Sequence, residues 1–370
     1  MPRPEFVIIG GGLAGAATAY HLARLGARDI LLLEQEDTAG LHSSGRNAAI
    51  LRVVVAGREV AALAREGGTF IRHTPASWDE PIGFHPCGSL LTGTRAALER
   101  VAADTPPQER ECLGVAWWSP EDCVARVPLL EGSRFETGLW CPLDGVIDVA
   151  GLLQGFLHEA HKLGARLVTR CAVRGIAVRD GRVEGVETSE GFFATGVLVN
   201  AAGAWARAIA TMAGAVDAPI VPYRRHLFST GPLPGVDPGW PVVWDPTREV
   251  YFRPESGGLL LSPCDETPAP AGIPPVDPAA LEDLGGKLTA HFPRLADVPI
   301  RHSWAGLRSF TPDHRFVIGP DPLVKGFFWV AGLGGHGVTT SPAFGRIAAE
   351  LLTGRDVPEA SPFFPERFLP

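Results

Sequence analysis

The sequence predicts an α/β chain of two lobes: a Rossmann-like lobe around a parallel sheet, and a second, mainly antiparallel β lobe inserted into it. Three observations predict it. The N-terminus reads strand, glycine turn, helix, strand, acid; similar strand and helix patterns return twice further on; and the stretches between them break into short β-rich runs. At 370 residues the chain exceeds a typical single domain, which agrees with two lobes.

The first unit is the most informative. Phe6–Ile9 is a short apolar run, the mark of a strand buried on both faces. Gly10-x-Gly12-x-x-Gly15 follows at once, then a helix over Ala16–Leu25, then a second buried strand, Ile30–Leu33, ending in Glu34. Gly10 permits the tight turn, Gly12 lets the backbone approach a pyrophosphate, and Gly15 lets helix and strand pack closely. The helix N-terminus, around Ala14, offers free N–H groups and about half a positive charge to phosphates. Glu34 stands 19 residues beyond Gly15, where a carboxylate accepts hydrogen bonds from a ribose hydroxyl. Gln35 follows it rather than Arg or Lys, which disfavours a 2′-phosphate and hence NADP. The segment predicts a dinucleotide site without separating FAD from NAD.

Composition excludes other classes. A net charge of −8 and a pI near 5.8 argue against nucleic acid, which requires a basic face. The six cysteines, at 87, 112, 123, 141, 171 and 264, form no CxxC pair, so no metal site is expected and they read as reduced thiols of a cytoplasmic protein. The first strand begins too early for a signal peptide to be expected, and no run of about 18 apolar residues offers a transmembrane span. Peripheral membrane attachment stays open.

Three blocks, 1–86, 146–219 and 303–370, read as one discontinuous nucleotide-binding lobe. The second block opens with an amphipathic helix (Leu152, Phe156, Leu157, Ala160, Leu163) and continues with Arg166–Thr169. A hairpin then pairs Ile176–Val178 with Val183–Thr188 through Asp180-Gly181, and Gly196–Asn200 runs into Ala201-Ala202-Gly203-Ala204-Trp205. The third block carries a glycine-rich stretch, Gly332–Gly337, opening a helix through Leu352. Residues 87–145 and 220–302 read as the substrate lobe. The first insert contains a helix start at Ser119-Pro120. The second has short β runs at Val242–Trp244, Val250–Arg253 and Gly258–Ser262, with a Pro-rich loop at 267–278.

Four further segments bear on the cofactor: Leu41–Ala49 (LHSSGRNAA), Leu198–Trp205 (LVNAAGAW), Ala305–Asp313 (AGLRSFTPD) and Gly332–Ser341 (GLGGHGVTTS). In this order, with PYRRH at 222–226 and VYFRPESGGLLLSP at 250–263, they resemble the FAD-dependent D-amino-acid oxidase, glycine oxidase and sarcosine oxidase group, most of all its D-arginine dehydrogenases. The likeness covers nearly the whole chain. It implies FAD, bound non-covalently, since no cysteine lies in the C-terminal flavin loop. It also implies that Ser43, Ser44, Gly45, Arg46, Asn47, Ala48, Ala49 and Ile50 line the cofactor, with Ala172 and Val173 at the adenine and Ala202, Gly203 and Trp205 beyond. Gly334, Gly335, His336, Gly337, Val338 and Thr339 would present N–H groups and a helix N-terminus to the flavin ring.

The same likeness implies a substrate site. Arg308 is the candidate for holding a substrate carboxylate through two parallel hydrogen bonds, with the Tyr251 hydroxyl beside it. Arg224 or Arg225 is a further candidate, and the sequence leaves open which points inward. His336 is a candidate for tuning protonation. D-Arginine dehydrogenases carry an acid where Gly88 stands here, and Ile50 and Val55 replace polar residues, which implies an apolar pocket. The expectation is oxidation of an uncharged D-amino acid by hydride transfer to flavin N5, giving an imino acid that hydrolyses to a 2-oxo acid and ammonia. The alternatives are a sarcosine- or glycine-type amine oxidase, a 2-hydroxy-acid dehydrogenase, or a non-catalytic flavoprotein subunit. The electron acceptor, O2 or a quinone or other carrier, is not legible.

Overall fold

The computed structural model describes residues 4–369. Its central sheet has six strands in the order Val317–Pro320, Phe327–Ala331, Leu198–Asn200, Phe6–Ile9 (β1), Ile30–Leu33 (β2) and Arg166–Val168. All neighbours are parallel except the first pair. Phe6 and Ile8 enter one core, Val7 and Ile9 the other, so both faces of β1 are buried. That two-sided burial is why the strand is an unbroken apolar run rather than an alternating one.

On one side of the sheet lie the helices Leu13–Arg24 (α1), Arg58–Arg72, Val149–Lys162 and Gly337–Leu352; on the other lie a three-stranded antiparallel sheet over 173–194 and the helix Ala206–Ala213. Helix α1 starts at Leu13, three residues before the expected Ala16, because Gly12 already serves as N-cap. Gly15 therefore lies in the first turn, where a Cβ would stand 2.0 Å from the Gly10 carbonyl. The Asp180-Gly181 hairpin takes positive φ at both residues (49° and 68°), as a two-residue type I′ turn requires. Ser119 caps its helix in a capping box with Asp122.

The second sheet has nine strands and is mainly antiparallel, with one parallel pair, Val242–Asp245 with Ser89–Gly93. Its long strand Val221–Pro232 pairs with His302–Phe310 from Val221↔Phe310 to Ser229↔His302. The expected boundary at 303 therefore cuts through a strand of the second sheet. The glycine–leucine–arginine segment read there as part of the nucleotide lobe is an antiparallel ladder, whose period resembles any other strand. This topology carries Arg308 on the β lobe and aims it back at the first. The Pro-rich stretch is not wholly loop: Thr267–Pro268 pairs with Tyr223 and Arg224, and Asp277 caps a helix starting at Pro278.

Candidate active site

One cavity of about 560 Å³ runs from the glycine bend to the face of the second sheet. At the bend, a Cβ on Gly10 would lie 2.4 Å from the Ala201 carbonyl, and one on Gly12 would lie 3.0 Å from Ser44 Oγ. Gly10, Gly12 and Ala14 line the cavity, together with Glu34 and Gln35. Glu34 is buried, yet among the described residues no cation pairs with it. Its Oε2 accepts from the Gly11 N–H at 2.9 Å and its Oε1 from the Glu36 N–H at 3.0 Å. Each oxygen keeps a lone pair for a further donor.

Two helix N-termini open on this cavity, those of α1 and of Gly337–Leu352; neither has an N-cap side-chain bond, and neither has an acid in its first turn. Both therefore keep their positive ends for an anionic or electron-rich ligand. Around them, side chains of the 41–49 loop are spent on holding its shape. Ser44 Oγ accepts from the Leu13 N–H at 3.0 Å, Ser43 Oγ donates to the Leu307 carbonyl at 2.8 Å, and Asn47 Nδ2 donates to the Ser44 carbonyl at 2.8 Å. Asn47 Oδ1 also accepts from Ala49 N–H at 2.8 Å, holding Ala49 at a φ of 56°. Arg46, Ala48, Ile50, Val173, Ala202, Gly203 and Trp205 reach the wall, as do Gly334, Gly335, His336, Gly337, Val338 and Thr339.

Three expected cofactor contacts lie off the wall, and each has a packing reason. Gly15 packs α1 on the bend. A Cβ on Gly45 would lie 2.6 Å from the Gly40 carbonyl, so it closes its own loop. Both backbone groups of Ala172 are taken by Ser189, and Cys171 and Val173 line the cavity on either side.

At the other end, Trp244 and Tyr251 are directly opposed on neighbouring strands. The Tyr251 hydroxyl is buried without a hydrogen-bond partner, and burial raises its pKa. Arg308 is half-buried beside it. Among the described residues its guanidinium has no hydrogen-bond or ion-pair partner. Burial first, and then repulsion from Arg225, lowers its pKa. A Cβ on Gly335 would stand 3.0 Å from Arg308 Nη1, so glycine there leaves room for the guanidinium. Of the two adjacent arginines, Arg225 turns inward and pairs with Glu266 at 2.5 Å. Arg224 turns outward, onto Asp277 at 2.6 Å. Strand alternation decides between them. His336 is driven down to about 3 by burial, then by Arg52 and Arg308, so it is neutral at pH 7.

Besides Arg224, two expected pocket residues are elsewhere. Val55 lies in the helical core, and Gly88 sits under Trp140, whose ring a Cβ would meet at 2.2 Å. Gly88 at a φ of 76° is thus a packing glycine, and it says nothing about acids in the pocket. Besides Glu34, two carboxylates, Glu249 and Glu266, do reach the wall. Sequence reasoning also missed Arg52, Trp244 and Cys264. The only sequence signal for Arg52 was an arginine closing the apolar Ala48–Leu51 run.

A glycine bend, a buried acid placed for a ribose and two free helix N-termini around one cavity fit a dinucleotide, and the same cavity reaches an arginine without a partner among the described residues. Residues 5–351 match the model of the FAD dependent oxidoreductase family (DAO), and the chain belongs to that family. Its cofactor is FAD, which the bend, Glu34 and the second helix N-terminus fit. The chain is 30% identical to human sarcosine dehydrogenase, a mitochondrial protein, over 94% of its own length and 40% of the relative. It is 28% identical to mouse mitochondrial dimethylglycine dehydrogenase, over 96% of this chain and 43% of the relative. The chain thus spans less than half the length of these curated relatives. Among solved structures, L-proline dehydrogenase from P. horikoshii superposes with a TM-score of 0.88 at 26% identity, covering 99% of this chain and 98% of that one. These matches favour the sarcosine- and glycine-type alternative over the D-amino-acid reading, and the narrower likeness to D-arginine dehydrogenases gains nothing from them. No helix among the described residues is long and apolar enough to cross a membrane.

Proposed function

We propose that this protein oxidises the C–N bond of an N-alkylated amino acid, of the sarcosine, dimethylglycine or proline kind, in place of the primary D-amino acid first expected. The observation that carries this reading is the unpaired Arg308 beside the partnerless Tyr251 hydroxyl, on an apolar wall of Trp244, Leu227 and Ile50. Names of the relatives support it. Arg308 and Tyr251 hold the substrate carboxylate by charge-assisted hydrogen bonds. Trp244 and Ile50 pack the N-alkyl carbons, which a primary amine lacks.

The wall has a second effect. Desolvation against the apolar wall disfavours a charged amine, and Arg308 and Arg52 add no negative charge to hold it protonated, so the bound amine is neutral; neutral His336 does not oppose this. The nitrogen lone pair then forms C=N as the adjacent C–H bond breaks and its electron pair departs. FAD, when bound, supplies the two-electron acceptor for that bond. Water splits the resulting iminium into a carbonyl compound and a shorter or ring-opened amine.

Anaerobic mixing of the holoenzyme with a panel of amines tests the reading through loss of flavin absorbance. Sarcosine, dimethylglycine or proline should bleach it. Bleaching by primary D-amino acids or 2-hydroxy acids alone would overturn it.

A further inference from the structure

Arg52 is a second cation on the substrate wall that the chemistry above does not use for binding. It follows the short strand Ile50–Leu51, and its guanidinium lies 4.2 Å over the Trp244 ring. Its Nη2 donates to the Val54 carbonyl at 2.9 Å, and its Nε is buried without a partner. Among the described residues its Nη1 makes no hydrogen bond and the side chain no ion pair.

Asp144 attracts this charge but does not bond to it. Asp144 is wholly buried, accepts from the Val53 N–H at 2.8 Å and from Ser89 Oγ at 2.5 Å, and makes no ion pair with Arg52. Arg225, by contrast, is neutralised by Glu266. Arg46, also on the cavity wall, has no ion pair among the described residues either, but its Nη1 donates to the Ala305 carbonyl at 3.5 Å; beside the Trp244–Tyr251 pair the guanidiniums without an ion pair are Arg52 and Arg308. They lie at the two ends of a row whose middle is the opposed pair Trp244 and Tyr251, and both bear electrostatically on His336 and Cys264. Holding two unpaired cations around one small cavity costs stability, and the cost is recovered by a ligand that brings two anionic groups.

We propose that the substrate carries two carboxylates, one on each side of the reacting nitrogen: a secondary or tertiary amine dicarboxylate, with one carboxylate on Arg308 and Tyr251 and the other on Arg52. Trp244 packs the short chain between them. Arg52 is then the residue that selects dicarboxylates over simple N-methyl amino acids. This rests on the amine-oxidising reading above and deepens it.

The test compares flavin bleaching of the holoenzyme by N-(carboxymethyl) amino acids with bleaching by sarcosine and dimethylglycine. It adds equilibrium binding of two unreactive ethers, oxydiacetate (two carboxylates) and methoxyacetate (one), read from perturbation of the flavin spectrum. The dicarboxylate amine should exceed the monocarboxylates at least tenfold in kcat/KM, and oxydiacetate should bind at least tenfold more tightly than methoxyacetate. R52Q should lower both ratios towards one, and R52K should restore part of the preference. If R52Q does not fold, the ether comparison on the natural protein still decides. Turnover of sarcosine or dimethylglycine with no gain from the second carboxylate in either assay overturns this inference and leaves the amine-oxidising reading intact. Failure of every amine to bleach the flavin, with neither ether bound, overturns both.

Discussion

Arg308→Met separates a functional arginine from a structural one, because the two roles predict opposite changes in stability. In the free protein the half-buried guanidinium has no partner among the described residues and is repelled by Arg225. Full burial of an ion costs several kcal/mol, so replacing this half-buried, unpaired one by an apolar side chain of similar length stabilises by about 1–3 kcal/mol. With an unfolding entropy of about 2.1 cal/mol/K per residue over 370 residues, that corresponds to a rise of about 1–4 °C in Tm. The substrate complex loses two charge-assisted hydrogen bonds worth about 1.5–3 kcal/mol each. An amino-acid substrate should therefore lose roughly 10²–10⁴ in kcat/KM. Differential scanning fluorimetry of the ligand-free holoenzyme and anaerobic stopped-flow flavin reduction measure the two quantities. A fall of several degrees in Tm, or a kinetic loss below tenfold, would refute the assignment of Arg308 to the substrate carboxylate.

Three more outcomes are expected. Glu34→Ala removes the acceptor of the Gly11 and Glu36 N–H groups and of the ribose, so FAD should bind roughly 10–100-fold more weakly in ultrafiltration or flavin-fluorescence titration. Arg225→Ala leaves Glu266 unpaired on the cavity wall, where it repels a carboxylate substrate, and should raise KM about tenfold, whereas Arg224→Ala, which breaks only the outward pair with Asp277, should leave kcat/KM within about threefold. Asp144 is pushed up to about 6 from 3.8, chiefly by burial, so its proton stabilises the fold at low pH and that contribution is lost as pH rises through 6. His21 and His336, held near 3, act in the other direction, lowering stability as pH falls below 6.5. Between pH 4.5 and 7, Asp144→Asn should gain about 2 kcal/mol relative to the natural protein in urea unfolding. Parallel pH profiles of the two proteins would contradict the buried acid.

The nucleotide lobe was legible because its signals are local. β1, the glycine bend, β2 and Glu34 are contiguous, and each is dictated by the backbone conformation or the two-sided burial of its own few residues. The same locality made the Asp180-Gly181 turn and the Ser119 cap readable before any tertiary contact was considered. Arg308 and Tyr251 also stood out in the chain, through their motif settings.

Tertiary structure alone decided where the pocket's charges meet. Arg52, Trp244, Tyr251, Glu266 and Arg308 come from separate strands and loops of both lobes, and no spacing in the chain encodes their convergence. Gly88 was misread for the same reason. The ring that forbids a Cβ there belongs to Trp140, 52 residues away on the neighbouring strand. Whether a guanidinium is answered by a carboxylate depends on distances across the fold, which pattern and propensity do not carry.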